Sequence, residues 1–234
     1  MTWKTWAGVV FAFASALPCH AASDPLQARG DAVRDRFVAA IRQCGVEPSF
    51  VPTILVKTSP NVVVYWSKSR TVWLSRYAEL PPPIRAFVDQ WAAGSAWHLP
   101  PAAFFAEVTG NFLVAHELGH YLVDMGGRMD KLSNWQNEVE AIRIAIAFWQ
   151  LRPGEAKTLP ERIDNNFAWL ATLPSPAPPG QDAGTYFNDN YWKLSQDGAA
   201  YSWYQGAFVR SAWADRGKKS FCDFARENRP PRAR

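Results

Sequence analysis

Apolar residues recur at helical spacing through 24–43, at Leu26, Val33, Phe37, Val38 and Ile41, with Gly45 as a stop. The pattern then changes. Residues 50–57, 61–66 and 71–77 are short, apolar and β-branched, which predicts three strands. Ser67-Lys68-Ser69-Arg70 separates the last two and has the length of a hairpin loop. After Pro81-Pro82-Pro83 the helical period returns, and Pro83 suits the first turn of a helix through Phe87, Val88 and Trp91. A long helix is expected over 102–125, ended by Gly126-Gly127, and a second over 135–151, halted by Pro153-Gly154. A shorter helical piece spans 160–173, a proline-rich excursion 174–180, and further helical segments 186–192 and 199–214. The fold class is therefore α+β: a small N-terminal antiparallel β-sheet followed by a helical core, without internal repeats.

Composition adds size and compartment. The chain has 234 residues, 48% apolar, with 12 Trp, which suits one core and a single domain over 23–227. Part of the net charge of +4 comes from a basic, flexible tail over 228–234. Elsewhere Lys and Arg are scattered, which argues against nucleic acid as a partner. Lys4, an apolar run over 6–17 too short to span a bilayer, and Pro18-Cys19-His20-Ala21-Ala22 read as a signal peptide over 1–22. Cys19 raises a lipoprotein alternative, which Pro18 fits poorly. No later stretch suits a transmembrane span, so the expected location is periplasmic or secreted. In such a compartment Cys44 and Cys222, left after removal of the signal, favour a disulfide over two free thiols.

The chemistry concentrates in His116-Glu117-Leu118-Gly119-His120. On a helix, positions i and i+4 share a face, so both imidazoles can reach one ion, and Glu117 lies beside the open position. A catalytic zinc takes three protein ligands. His20 leaves with the signal and no His follows His120, which leaves a carboxylate, or His98 from the preceding loop. Glu138 shares a stripe with Ala141, Ile142, Ala145 and Trp149, the small and apolar face suited to pack on the motif helix. Glu140 points elsewhere, towards a solvent pairing with Arg143 at i+3. A buried carboxylate needs a partner, which favours Glu138 as third ligand to one Zn²⁺ and keeps Glu140 as the alternative.

H-E-x-x-H followed 18 positions later by Glu138 on a second helix resembles the gluzincin zinc metallopeptidases. Asn137-Glu138 and Glu138-x-x-Ala141 resemble elements of that group. Asn61, Tyr77-x-Glu79-Leu80 and Tyr201-x-x-Tyr204-Gln205 resemble, over most of the chain, an uncharacterised bacterial metallopeptidase-like family. The resemblance implies a zincin-like helical core and hydrolysis of peptide or protein substrates. In that scheme a zinc-bound water attacks the carbonyl while Glu117 carries the proton. A further donor stabilises the oxyanion, with Tyr186, Tyr191, Tyr201, Tyr204 and His98 as candidates. The strand at 71–77 is expected to align the substrate backbone. One position departs: Ile142 stands where gluzincins carry an Asp or Asn that orients a histidine, a role left to Asp124 or Asp130. That departure motivates an alternative, a catalytically inert secreted binding module stapled by zinc. A weaker alternative is zinc-dependent hydrolysis of something other than a peptide.

Overall fold

A computed structural model describes residues 24–151, 159–170 and 172–231. The expected signal peptide, the Cys19 lipidation alternative and residues 232–234 lie outside the described residues. Helix α1 (Pro25–Gln43) is capped by Asp24, whose carboxylate accepts from the Leu26 and Gln27 N–H groups. Three short strands follow: β1 (Thr53–Val56), β2 (Val63–Trp66) and β3 (Thr71–Leu74). The remainder is helical: α2 (Pro82–Gly94), α3 (Pro101–Glu107), α4 (Val114–Met125), α5 (Asn134–Gln150), α6 (Leu159–Leu170), α7 (Ala183–Leu194), α8 (Gly198–Ala214) and α9 (Phe221–Glu227). This is the expected α+β class, with α9 added.

The sheet has the order β1-β3-β2. β2 and β3 form the expected antiparallel hairpin, but β1 runs parallel to β3, so the sheet is mixed rather than wholly antiparallel. Strand alternation sorts its faces. Ile54, Tyr65, Val72 and Leu74 are buried inward, where α1 and α4 pack. At the outer edge of β1, the Gln27 side chain occupies the main-chain groups, donating to the Ile54 carbonyl and accepting from the Val56 N–H. β3 is paired on both sides, so the expectation that it aligns a substrate backbone is corrected. A peptide can extend a sheet only at a free edge, and a central strand has none.

The long motif helix is α3 and α4 joined by a π-helical segment, Val108–Leu113, immediately before the histidines. Its end follows the glycine logic, with Gly126 as C-cap and Gly127 at φ 63°. α5 begins on a capping box in which Ser133 and Gln136 satisfy each other's N–H groups. α4 and α5 then cross very closely at Gly119. A Cβ added there would stand 2.5 Å from the Ala141 carbonyl oxygen and 2.8 Å from its Cα. No residue but glycine permits that approach.

Cys44 and Cys222 form the expected disulfide, linking the C-cap of α1 to α9 across 178 residues. Asn228, expected to begin the tail, packs in the core. It is fully buried, accepts from Arg128 and donates to the Phe224 carbonyl, so it belongs to the core packing against Gly126.

Candidate metal centre

His116 and His120 project from one face of α4, with ring centroids 4.7 Å apart and Nε2 atoms separated by 3.2 Å. The buried cluster His116, Glu117 and His120 can hold a metal ion, its donor atoms all lying within 4.8 Å of one another. Glu138 of α5 completes the arrangement. Its Oε2 lies 3.3 Å from His116 Nε2 and 3.7 Å from His120 Nε2. Donors bonded to zinc in a tetrahedron stand about 3.3 Å apart. The three atoms therefore outline one face of such a shell.

Glu138 Oε2 has no hydrogen-bond partner among the described residues, although the residue is only 6% exposed. Leaving a buried carboxylate oxygen without a partner costs several kcal/mol, roughly, unless a cation faces it. The donor set of two imidazoles and a carboxylate thus fits a divalent metal such as zinc. Burial pushes the Glu138 carboxyl up, but the His116 and His120 rings outweigh it and bring it well below the usual carboxylate range. Burial likewise works to lower His120, and the Glu138 carboxylate outweighs it, so His120 is raised. The other Glu138 oxygen, Oε1, accepts from the Tyr201 hydroxyl at 2.9 Å.

Glu117 is held differently. Its Oε2 accepts from the Tyr65 main-chain N–H at 2.7 Å, and its Oε1 lies 3.7 Å from His116 Nε2. Tyr65 grips α4 a second time, its hydroxyl donating to Asp124 at 2.7 Å, two turns further along the same face. β2, rather than β3, is therefore the strand beside the site.

The remaining candidates separate cleanly. Glu140 does not meet the histidines. It sits between Arg128 at 3.6 Å and Arg143 at 3.9 Å, and at 9% exposure it is buried rather than solvated. Arg143 in turn reaches Asp215, which anchors this face of α5 to the end of α8. His98 is exposed on its loop, at φ 51°, and makes no hydrogen bond or ion pair among the described residues. Tyr204 is fully buried among Phe187, Trp135, Trp203 and Phe208, and Tyr186 accepts from Asn190 through its main chain. Tyr191 is close enough to feel the site: burial, followed by the charges of Glu138 and Glu117, pushes it up to about 12. Asp124 is engaged by Tyr65, and Asp130 is exposed in a short turn, so neither orients a histidine. Ile142 is core, and the Nδ1 atoms of His116 and His120 are buried without partners among the described residues.

Sequence reasoning missed Tyr65 and the role of Gly119. A Tyr in a β-branched run carries no mark of its partner on another element. A glycine between two histidines of a helix interior is a legible signal, because it lowers helix propensity and invites close packing. No family model, curated protein or solved structure matches this chain.

Proposed function

We infer that this protein is a zinc-dependent hydrolase of peptide bonds, with His116, His120 and Glu138 as metal ligands and Glu117 as general base. The observation carrying this reading is the triangle of donor atoms with sides of 3.2, 3.3 and 3.7 Å, beside a carboxylate already fixed by a main-chain donor. Bound there, zinc would supply Lewis acidity, lowering the pKa of water towards about 7 and polarising a substrate carbonyl. The chain's own residues do the rest. Tyr65 N–H ties down Glu117 Oε2, which leaves Oε1 to take the proton of the attacking water and return it to the leaving amine. Tyr201 fixes Glu138 through Oε1 and turns Oε2 towards the histidines. Tyr191, whose hydroxyl feels the charges of Glu138 and Glu117, is the candidate we favour for stabilising an oxyanion.

The disulfide and the absence, among the described residues, of a helix long and apolar enough to cross a membrane agree with an exported protein. A second reading has its own support: among the described residues both Nδ1 atoms lack the hydrogen-bond acceptors that catalytic zinc histidines usually have. On that reading the metal staples α4 to α5 without turnover. Metal analysis of the purified protein, followed by peptide-library digestion with wild type and Glu117→Gln, decides between them. The hydrolase reading expects one zinc per chain in both proteins and cleavage by wild type alone. Zinc without cleavage by wild type leaves the inert module, and absence of zinc removes both.

A further inference from the structure

The outer face of the sheet carries exposed apolar side chains, with the unpaired Lys57 and Lys68 beside them. Alternation along the strands puts Leu55, Val64 and Trp73 in one row across the sheet, with Trp66 beside Thr71 in the next. Of the five large apolar side chains that stay exposed among the described residues, Leu55 at 44% and Trp66 at 43% lie here, and Val51 at 45% stands just before β1. Trp66 and Trp73 pack with centroids 5.2 Å apart.

Charge along this part of the chain is one-sided. Residues 48–78 contain Lys57, Lys68, Arg70 and Arg76 and no Asp or Glu, although the chain has 21 acidic residues in all. Arg76 is taken up by Asp24 and Glu79. Lys57, Lys68 and Arg70 make no ion pair among the described residues; Lys57 lies over the Trp73 ring and Arg70 over the Phe50 ring. Lys68 and Arg70 stand at the tip of the β2–β3 hairpin, beside exposed Trp66. Clustering resides in the missing acids rather than in the bases, which is why a survey of Lys and Arg alone does not reveal it.

We propose that this face docks on an anionic lipid surface. Indole rings favour the headgroup level, exposed aliphatic side chains enter the acyl boundary, and unpaired Lys and Arg neutralise lipid headgroups. Unpaired Lys57 and Lys68, beside the exposed apolar side chains, complement negative charge. The exposed Val51 and Leu55 separate a bilayer from a nucleic acid strand, which gains from flat aromatic faces and phosphate contacts but not from aliphatic groups. The inner face of the same sheet holds β2 against α4, so docking leaves the metal centre untouched and brings it near the membrane surface.

The test is co-sedimentation of the full chain with vesicles of phosphatidylglycerol and phosphatidylcholine, against vesicles of phosphatidylcholine alone. Binding is expected only to the anionic vesicles and is expected to weaken as salt is added. Each basic residue contributes about a fivefold change in partition. The double variant Lys57→Gln, Lys68→Gln is therefore expected to lose about 25-fold, and Leu55→Ser with Trp66→Ser to reduce binding as well. Unchanged thermal melting of both variants verifies their folding, since these four side chains lie on the outer face or at the exposed hairpin tip. Failure to bind anionic vesicles overturns the proposal, as does binding that survives the Leu55 and Trp66 substitutions. Preference for a single-stranded oligonucleotide over vesicles, or self-association abolished by those substitutions, assigns the face to another occupant and overturns it equally.

Discussion

Gly119→Ala tests the crossing on which the proposed metal centre depends. The new Cβ would stand 2.5 Å from the Ala141 carbonyl oxygen, 2.8 Å from its Cα and 3.0 Å from its carbonyl carbon, all main-chain atoms that cannot rotate away. Relief requires α4 and α5 to part by about 0.8 Å, the shortfall from an ordinary carbon–oxygen contact near 3.3 Å. Glu138 sits one turn before Ala141 on the same helix, so its Oε2 recedes from histidine nitrogens now 3.3 and 3.7 Å away. Three donors so spread no longer meet one ion at about 2.0–2.1 Å. Stability and metal affinity should therefore diverge. Alanine gains about 1 kcal/mol of helix propensity, whereas overpacking costs about 1–3 kcal/mol, so the metal-free protein loses only about 0–2 kcal/mol. Zinc affinity is expected to fall at least about tenfold, as when a ligand's orientation is disturbed. Urea unfolding of the metal-free protein and zinc titration against a competing chelator measure the two quantities. Wild-type affinity together with a stability gain of about 1 kcal/mol would refute the reasoning.

Tyr201→Phe removes the hydroxyl on Glu138 Oε1 while keeping the ring, and zinc affinity is expected to drop about 10–100-fold by the same titration; no change would mean that Glu138 is oriented without it. Glu138→Ala is expected to abolish stoichiometric zinc binding and Glu140→Ala to retain it, because Glu140 faces Arg128 and Arg143; the reverse pattern would overturn the ligand assignment. Replacing Cys44 and Cys222 together by Ser frees a loop of 178 residues in sequence separation, with an expected loss of about 2–5 kcal/mol in urea unfolding; equal midpoints would show the bridge to be dispensable. Burial works to raise Asp24, but Arg76 and the Leu26 and Gln27 N–H groups outweigh it, so its carboxyl lies below the ordinary 3.8. Its contribution is then present above that value and lost as pH falls through the lowered one. Asp24→Ala should accordingly cost about 1 kcal/mol near neutral pH and progressively less in acid, and a pH-independent cost would contradict the capping role.

Local pattern carried much of this protein. The i, i+4 histidines with Glu117 are a property of one helix, and the helix period alone separated Glu138 from Glu140, because the stripe shared with Ala141, Ile142 and Ala145 has to be buried. The hairpin was legible because its loop and strands are adjacent in sequence. The parallel pairing of β1 was not, since β2 intervenes in sequence between β1 and β3 and nothing in either run encodes its direction. Glu140 was misjudged as solvated for a related reason: its second partner, Arg128, comes from outside its own helix. The same limit explains Tyr65, whose main-chain N–H and hydroxyl find Glu117 and Asp124 only once the sheet docks on α4. Sequence by itself thus determined which residues could serve a metal and which face of each helix they share. Tertiary structure decided how close those faces come, through a glycine that lets two backbones touch, and so whether the donors converge on one point.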